Sequence, residues 1–396
     1  MEKIFKMDNE IQNYAWGTKD FIAQLHGVNS SNKPQAEMWM GAHPKAPSMV
    51  WVNNEKKSLT DLITQYPEHF LGVKIAKKFA GRLPFLLKIL SANSALSIQV
   101  HPDKIQAELG FAAENNCGVE LKSFDRNYKD DNHKPELICA LTKFDAMCGF
   151  RPLAEIHDFW QRHQIWTEGS RNFLHNPQPE TFKRMFFGFM NLSRPEQKEV
   201  VEKTLEKLQS PRNESEANII TWMYKLNEIY PGDIGVLAPS YLNTIQLQPG
   251  EALYLQAGLI HSYLQGSGIE IMANSDNVLR GGLTPKHIDL SELEKTLIFS
   301  FGEVEKIEGE NLETGRLYPT LAPEFELIYQ NKMEMINKVN GPEVVLCTAG
   351  EVTLQAGDIV QLKAGESAFV CAANCEYKLI GQGEVFRARI PLKDQA

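Results

Sequence analysis

The hydrophobic period of this chain changes at residue 151, and that change constrains its fold more than any other feature. Up to Phe150, short apolar runs such as GRLPFLLKIL, ALSIQV and DAMCGF are separated by Gly, Pro and Asn, a pattern typical of β-strands. From residue 151 to about Tyr230 the apolar residues recur at helical spacing, and the β pattern returns after Gly232. The sequence therefore predicts a mainly β fold with a helical block between two β regions.

The helical block contains two clear helix patterns. In SRPEQKEVVEKTLEKLQS, Ser193 and Glu196 have the spacing of a capping box. The apolar stripe of this helix consists of Val200, Val201, Thr204, Leu205 and Leu208. The second stripe consists of Ile219, Ile220, Met223, Leu226 and Ile229 and is closed by Tyr230, Pro231 and Gly232. Outside the block, helices are predicted in SLTDLITQY and DKIQAELGFAAEN.

A weak internal repeat links the two β regions. LQPGEALYLQAGLIHSYLQG from Leu247 aligns with LKAGESAFVCAANCEYKLIG from Leu362 at a constant offset of 115 residues. Two related β-barrel or jelly-roll units would explain such a repeat. Because His261 aligns with Glu376, a metal site in the first unit is not expected in the second.

The composition limits the classes of partner. The chain of 396 residues carries a formal net charge of -9, which argues against nucleic acid or an acidic membrane as its main partner. No window approaches the roughly 18 apolar residues of a membrane span, and MEKIFKMDNE lacks the apolar run of a signal peptide. We expect a cytoplasmic protein, a monomer, whose 6 scattered cysteines are free buried thiols.

The stretch ALSIQVHPDK aligns three polar groups on one face of a predicted strand. Ser97, Gln99 and His101 alternate there with apolar residues. Side chains two positions apart on a strand point the same way, about 6.5–7 Å from each other. Gln99 and His101 are therefore close enough to converge on one small ion.

Two further candidate ligands lie elsewhere in the chain. His261 follows a Gly258 turn in a segment that resembles the second half of the cupin signature. Gln256 stands there where cupins have Pro, and Gln265 where they have Asn. Glu136 begins an apolar strand in NHKPELICAL, where a solvated edge residue is the alternative interpretation.

Together these side chains form a set of two imidazoles, one carboxylate and one neutral amide. Zinc suits nitrogen and oxygen ligands in a site that keeps a position for water or substrate. The main alternative is non-haem iron, which oxygenases bind with two His and one carboxylate. Since Gln99 would occupy a position that oxygen chemistry needs open, zinc is favoured.

Five long motifs carry a family resemblance. They are QNYAWG, AEMWMGAHPKAPS, LSIQVHPDK, NYKDDNHKPEL and MANSDNVLRGGLTPKHID, and they run through nearly the whole chain. In these motifs the sequence resembles the type I phosphomannose isomerases, also called mannose-6-phosphate isomerases. The resemblance implies a cupin-type catalytic domain, interrupted by a helical domain and followed by a second jelly roll.

The resemblance also implies the site residues. One zinc ion per chain would be bound by Gln99, His101, Glu136 and His261, and Arg280 would be an essential active-site arginine. The positions that the family associates with substrate or phosphate are Ser97, Lys88, His133, Lys134 and Asp276.

The implied activity is the interconversion of mannose 6-phosphate and fructose 6-phosphate through a cis-enediol. Such an isomerase must move a proton between C2 and C1 and stabilise negative charge on oxygen. Arg280 stays protonated and can donate two parallel hydrogen bonds to a phosphate or an enediolate. Lys134, His133 or a zinc-bound hydroxide could carry the proton. Because no GxxxxGK[ST] loop is present, side chains are expected to hold the phosphate.

Two other functions are open to a chain of this kind. A bicupin oxygenase would require iron and take up oxygen. A regulator that binds sugar phosphates would keep the fold without turnover, but it would be expected to have lost a zinc ligand, Arg280 or Lys134, and all are present.

The same resemblance and the change of period divide the chain into four segments. Residues 1–150 and 232–318 are expected to form the two parts of the catalytic cupin domain. Residues 151–231 would be the helical insertion, and residues 319–396 a C-terminal jelly roll without a metal site.

Overall fold

Two large antiparallel sheets and a cluster of helices make up the fold. The structure is a computed structural model that describes residues 2–30, 32–165, 167–373 and 376–391. Up to Phe150 the chain is mainly β, and α2 and α5 below confirm the two helices predicted there. The elements of this part are β1 (Ile4–Asp8), β2 (Glu10–Gln12), α1 (Phe21–Leu25), β3 (Glu37–Gly41), β4 (Met49–Val52), β5 (Glu55–Ser58), α2 (Leu59–Gln65), α3 (Pro67–Leu71), α4 (Val73–Lys78), β6 (Phe85–Ala92), β7 (Ile98–Val100), α5 (Lys104–Asn116), β8 (Glu136–Ala140) and β9 (Phe144–Phe150).

The predicted helical block is confirmed. Ser193 N–H donates to Glu196 Oε2 at 2.8 Å at the start of α9, where the capping pair was expected. Both predicted stripes contain buried residues, such as Val201 in α9 and Met223 in α10. Among the described residues no helix is both long enough and apolar enough to cross a membrane. The helices are α6 (Leu153–Arg162), α7 (Glu168–His175), α8 (Pro179–Met190), α9 (Arg194–Lys207) and α10 (Glu214–Ile229), followed by a 3-10 helix (Ile234–Ser240).

The chain returns to strands after the 3-10 helix, again as predicted. The remaining elements are β10 (Leu242–Leu247), β11 (Ala252–Leu255), β12 (His261–Ala273), β13 (Leu279–Gly282), α11 (Leu290–Thr296), β14 (Glu310–Leu312), β15 (Gly315–Tyr318), β16 (Glu326–Gln330), β17 (Ile336–Lys338), β18 (Glu343–Ala356), β19 (Asp358–Lys363), β20 (Ser367–Val370) and β21 (Glu376–Arg389).

The strands form two open sheets. One has the order β10-β9-β12-β6-β3-β2, with β7, β8, β11 and β13 paired alongside, and the other has the order β14-β15-β16-β21-β18-β20-β1-β4-β5. The mainly β prediction is confirmed, but the barrel alternative is wrong, because neither sheet closes within the described ranges. Long strands pair with different partners along their length, as β12 does with β6 and β9. The strands β2 and β10 lie at opposite ends of the strand order of the first sheet.

The internal repeat is real in three dimensions. β20 and β21 begin 115 residues after β11 and β12, and their pairing repeats as well. β10, β11 and β12 pair with β8 and β9 in the first unit, as β19, β20 and β21 pair with the single strand β18 in the second. β18 turns directly into β19, whereas all of α6–α10 lies between β9 and β10. The helical block of the first unit thus stands where the second unit has a tight hairpin turn.

The first and last parts of the chain share the second sheet. β1 pairs with β20, with Phe5 opposite Phe369, and β4 and β5 extend the same sheet. No pattern in the sequence announces this pairing, because partners more than 360 residues apart leave no local signal. The proposed division into four segments stays a prediction.

Among its described residues, the second unit has no counterpart of the candidate metal set. Register and repeat place Val345 where the first unit has Glu136, and Glu376 where it has His261. Its interior instead holds a buried ion pair, in which Arg387 Nη2 lies 3.0 Å from Glu343 Oε2. Tyr377 also donates to this carboxylate, at 2.9 Å. A satisfied polar network of this kind holds strands together without an ion.

Tyr377→Phe should destabilise the protein without touching its first unit. The change removes one hydrogen bond to the buried carboxylate of Glu343, and we expect a loss of about 1.5–3 kcal/mol in the free energy of unfolding. Urea unfolding of the two proteins measures the loss. Equal midpoints would contradict the role given to this network.

The cysteines described by the structure are free. Cys139, Cys148, Cys347 and Cys371 are buried, as expected, whereas Cys117 at the end of α5 is exposed. Cys375 lies outside the described residues.

Candidate metal centre and active site

Three side chains from three strands meet at one point inside the first unit. Glu136 begins β8, His261 begins β12, and His101 follows β7 directly. His101 Nε2 lies 3.4 Å from Glu136 Oε1, and His261 Nε2 lies 3.4 Å from Glu136 Oε2. One ligand atom from each residue lies within 4.8 Å of the other two. Ligands on a tetrahedral ion with bonds of about 2.1 Å are about 3.4 Å apart, so the spacing suits zinc.

Local backbone geometry sets the two histidines side by side. Gly258 N–H donates to the carbonyl of His101 at 2.9 Å, which ties the turn before His261 to the end of β7. The turn needs glycine, because Gly258 has φ +77 and an added Cβ would lie 2.5 Å from the Ile298 side chain. The two imidazole rings are 5.0 Å apart at their centroids.

Both histidines present a lone pair to the same space. The Nδ1 of His101 lies 2.7 Å from the carbonyl of Asn277, and that of His261 lies 2.9 Å from the carbonyl of Leu259. Because a carbonyl oxygen only accepts, each Nδ1 carries a proton, so the neutral form of each ring has the lone pair on Nε2. Both Nε2 atoms and Glu136 Oε2 are buried without a hydrogen-bond partner among the described residues. Three orphaned acceptors facing one another fit a cation.

The charges around Glu136 keep it ionised. Its Oε1 lies 2.8 Å from Lys134 Nζ, which leaves Oε2 for an ion. Burial alone would raise the pKa of the Glu136 carboxyl, but the Lys134 ammonium outweighs it and holds that pKa well below its usual range. Burial lowers the pKa of His101 to about 4, so its imidazole is neutral at neutral pH. With 1 % exposure, Glu136 is not the solvated edge residue considered as the alternative.

Gln99 and Arg280 flank this centre on neighbouring strands. Gln99 is the register partner of His261 on one side and of Arg280 on the other. Directly opposite residues project from the same face of a sheet, so the three side chains point the same way. The strand predicted in ALSIQVHPDK is shorter than expected, since β7 covers only Ile98–Val100. It cannot extend through Pro102, because proline has no N–H to donate to the neighbouring strand.

Arg280 belongs to a group of cations that lie within electrostatic range of one another. Arg280 is half-buried, and its guanidinium makes no hydrogen bond or ion pair with any residue that the structure describes. Burial, and then the charges of Arg280 and Lys45, lower the pKa of Lys286. Lys129 is affected in the same direction, by burial first and then by neighbouring cations that include Lys45 and Arg280. Within a chain of negative net charge, this group can hold an anion.

The predicted substrate residue Lys88 lies in a separate buried network. Lys88 Nζ is 2.9 Å from Glu270 Oε2 and 3.6 Å from Glu37 Oε1. Burial opposes the charge on Lys88, but these two carboxylates outweigh it and raise the pKa above its usual value. The ammonium also lies 5.3 Å from the centre of the Trp39 ring. Lys88 is therefore charged and fixed in place.

The other predicted substrate residues have different partners. Asp276 Oδ2 lies 2.8 Å from Lys45 Nζ and 3.5 Å from His43 Nε2. His133 Nε2 lies 2.7 Å from Glu324 Oε1. Ser97 precedes β7 and is half-buried. Their roles stay predictions.

Several residues near the centre were not found from the sequence. They are Lys45, Lys129, Lys286, Glu270 and Asn277. Some stand inside the quoted motifs, as Lys286 does in LTPKHID and Asn277 in NSDNVL. Nothing local distinguishes them there, because their neighbours in space come from distant parts of the chain.

The buried imidazole of His43 gives a test at low pH. Burial lowers its pKa to about 4, although Asp276 acts against this, so the unfolded chain takes up the proton first. Stability is then lost as the pH falls from about 6.5 towards 4, by at most about 1.4 kcal/mol per pH unit for one group. Urea unfolding of metal-free protein should show a shallower pH dependence in His43→Gln. Parallel curves for the two proteins would contradict this role.

The fold and this centre define a mainly β metalloprotein with a buried His–Glu–His set and a group of cations around Arg280. The comparisons with known proteins identify the family. Residues 4–153 match phosphomannose isomerase type I, catalytic domain. The mannose-6-phosphate isomerase of Escherichia coli (strain K12) is 39% identical over 96% of this chain and 98% of its own length. This chain belongs to the mannose-6-phosphate isomerase family, and the resemblance seen in its motifs is confirmed.

Further relatives agree with this placement. The mannose-6-phosphate isomerase of Saccharomyces cerevisiae is 34% identical over 93% of each chain. A mutant phosphomannose isomerase from Salmonella typhimurium superposes with a TM-score of 0.91 and 36% identity, covering 99% of this chain and 100% of that one. A mannose 6-phosphate isomerase described as holo and zinc bound superposes with a TM-score of 0.90, with the same identity and coverage.

Proposed function

We propose that this protein is a zinc-dependent aldose-ketose isomerase that interconverts mannose 6-phosphate and fructose 6-phosphate through a cis-enediol. One observation carries the proposal. The orphaned acceptors of His101, Glu136 and His261 meet at one point, and Gln99 lies in register between His261 and Arg280, an arginine without a partner in the described ranges. A phosphorylated sugar needs both features, a Lewis acid for its oxygens and positive charge for its phosphate. The names of the relatives and the zinc-bound neighbour support the same conclusion.

We assign the metal to Gln99, His101, Glu136 and His261. When bound there, zinc polarises the carbonyl and hydroxyl oxygens of the sugar and lowers the pKa of bound water to about 7. The protein's part is to supply two imidazoles whose Nδ1 atoms face carbonyls and one ionised carboxylate, which leaves the two Nε2 atoms and Oε2 for the metal. The neutral amide of Gln99 adds a ligand without adding charge, which keeps the ion a strong Lewis acid.

The catalytic roles go to Arg280 and Lys134. The guanidinium of Arg280 has no competing partner among the described residues, so it can donate its hydrogen bonds to substrate. Donors placed where negative charge develops stabilise an enediolate. Lys134 Nζ lies 2.8 Å from Oε1 of the metal ligand Glu136. It would therefore lie close to a sugar oxygen held at the metal centre and could hold or move a proton there.

The substrate is held by side chains around this centre. The phosphate would bind Arg280 with help from Lys286, Lys129 and Lys45, because, together with burial, the charges of Arg280 and Lys45 act on both other lysines and lower their pKa values. The sugar would contact the predicted residues Ser97, Lys88, His133 and Asp276. Lys88 brings a fixed positive charge that its two carboxylates preserve.

The test of the function is a coupled assay of mannose 6-phosphate conversion to fructose 6-phosphate. Turnover should be lost after chelation and return with one equivalent of zinc. Restoration by iron alone, with oxygen uptake, would instead favour an oxygenase. A zinc-loaded protein that binds mannose 6-phosphate without converting it would contradict the proposal and favour a regulator.

We further propose that the chain acts in the cytoplasm as a monomer, without nucleic acid. The net charge of -9 supports the absence of nucleic-acid binding. We also propose residues 1–150 and 232–318 as the catalytic domain, 151–231 as an insertion, and 319–396 as a unit without metal. Sedimentation of the zinc-loaded protein tests the monomer, since a mass near twice 44.8 kDa would contradict it.

A further inference from the structure

The two metal-ligand histidines are oriented by carbonyls of very different origin. His261 Nδ1 donates to Leu259, which lies 2 residues before it in the same turn. His101 Nδ1 donates to the carbonyl of Asn277, which lies 176 residues away in the loop between β12 and β13. The orientation of His261 is therefore fixed locally, whereas that of His101 depends on how the loop around Asn277 is held.

The side chain of Asn277 holds that loop. It is fully buried, and its Oδ1 accepts from the N–H groups of Lys129 and Asp130 at 2.7 and 3.2 Å. Its Nδ2 donates to the carbonyls of Asp130 and Asn132, each at 2.8 Å. An amide has two donors and two acceptor lone pairs, so the hydrogen-bonding capacity of Asn277 is fully used.

Asp130 completes the connection between the two loops. Its Oδ1 accepts from Ser275 Oγ at 2.8 Å and from Asn132 N–H at 3.0 Å. Its Oδ2 accepts from Asp276 N–H at 2.7 Å. We call Asp130, Ser275 and Asn277 together the loop clamp. The loop clamp joins residues 129–132 to residues 275–277. The His101 imidazole donates to the backbone carbonyl of Asn277, one of its members.

We propose that the loop clamp is a positioning device for the metal centre, and that Asn277 and Asp130 set its zinc affinity by fixing the tautomer and direction of His101. The inference rests on the proposed function, since it concerns the zinc site assigned there. A carbonyl that keeps His101 Nδ1 protonated leaves Nε2 free for the ion, and partners of this kind change metal affinity by about 10–100-fold when lost. The same clamp holds the backbone of Asp276, so one device serves the metal side and the substrate side of the centre.

The test is zinc affinity, measured by competition with a chromophoric chelator on purified full-length protein. Asn277→Asp keeps the size and the Oδ1 acceptor, but it turns a donor into an oxygen that faces two carbonyls. We expect it to bind zinc about 10–100-fold more weakly, and Asp130→Asn to do the same. Ser275→Ala removes a single side-chain donor, so a loss of about 2–10-fold is expected. Asn337→Ser is the matched control, because Asn337 is a buried asparagine bonded to Arg387 in the second unit.

A second readout guards against variants that fold poorly. Cobalt-substituted protein has visible bands that report ligand geometry, and these bands should change in the clamp variants and not in Asn337→Ser. Zinc affinity within threefold of the unmodified protein in all three clamp variants, with unchanged cobalt bands, would overturn the inference while leaving the proposed function standing. If the unmodified protein itself bound no zinc, both the proposed function and this inference would fall.

Discussion

Glu136→Gln is expected to lower kcat/KM for mannose 6-phosphate by about 10⁴-fold and to abolish tight zinc binding. Glu136 is the only carboxylate in the His–Glu–His group found among the described residues. The amide has nearly the same size, so the loss comes from charge. Without the carboxylate, the ion and the nearby Lys134 ammonium would face each other at close range with no negative charge between them. Losing the Lewis acid removes several kcal/mol of transition-state stabilisation, and about 5.5 kcal/mol corresponds to 10⁴-fold.

The control for this change is Glu216→Gln in the helical block. Glu216 is also a buried carboxylate beside an imidazole, with His163 Nε2 at 2.8 Å, but it lies on α10, away from the centre. Its variant should lose stability and keep zinc affinity and turnover per folded molecule. Atomic absorption measures the metal content of the two variants, and the coupled assay measures their turnover. A Glu136→Gln protein that keeps zinc at the unmodified affinity would contradict the ligand assignment.

Arg280→Ala should lower kcat/KM by about 10³-fold and leave zinc affinity and stability nearly unchanged. Removal of one preorganised donor to a developing oxyanion costs about 10²–10³ in rate, and the loss of a phosphate contact adds to this. Because the guanidinium has no protein partner among the described residues, its removal leaves no buried carboxylate unpaired. Truncation should therefore not unfold the protein.

Arg280→Lys separates charge from geometry. A lysine keeps the positive charge but cannot donate two parallel hydrogen bonds, so we expect recovery of about tenfold in kcat/KM over Arg280→Ala. Arg316→Ala, an exposed arginine of the second sheet, is the control and should behave as the unmodified protein. Zinc affinity that fell together with activity in Arg280→Ala would show that Arg280 acts through the metal site and would contradict a direct role toward substrate.

The parts of the fold that depend on local pattern could be predicted. Ser193 and Glu196 mark the start of α9, and the 115-residue repeat locates β20 and β21. Periodicity suggested that Gln99 and His101 share a face, local patterns suggested His261 and Glu136 as further ligands, and the family motifs added Arg280. The helix and strand predictions succeed because capping, strand alternation and turn chemistry act over a few residues.

The relations between distant segments could not be predicted. The pairing of β1 with β20 and the bond from His101 to the carbonyl of Asn277 depend on how loops meet after folding. The burial of Glu136 could not be read from its place at the start of a strand, because the covering elements come from elsewhere in the chain. The role of the Asn277 carbonyl could not be predicted either. Every residue carries a backbone carbonyl, and only the folded structure shows that this one accepts from His101.

The most direct test of zinc-dependent isomerisation is an NMR experiment in D2O. Mannose 6-phosphate is incubated with protein carrying one equivalent of zinc and with protein treated with chelator, and the products are followed over time. We predict fructose 6-phosphate in the zinc-loaded sample only, with deuterium at C1 to the extent that the proton taken from C2 exchanges with solvent before it returns to the enediol. No fructose 6-phosphate from a fully zinc-loaded, folded protein would contradict the proposed activity.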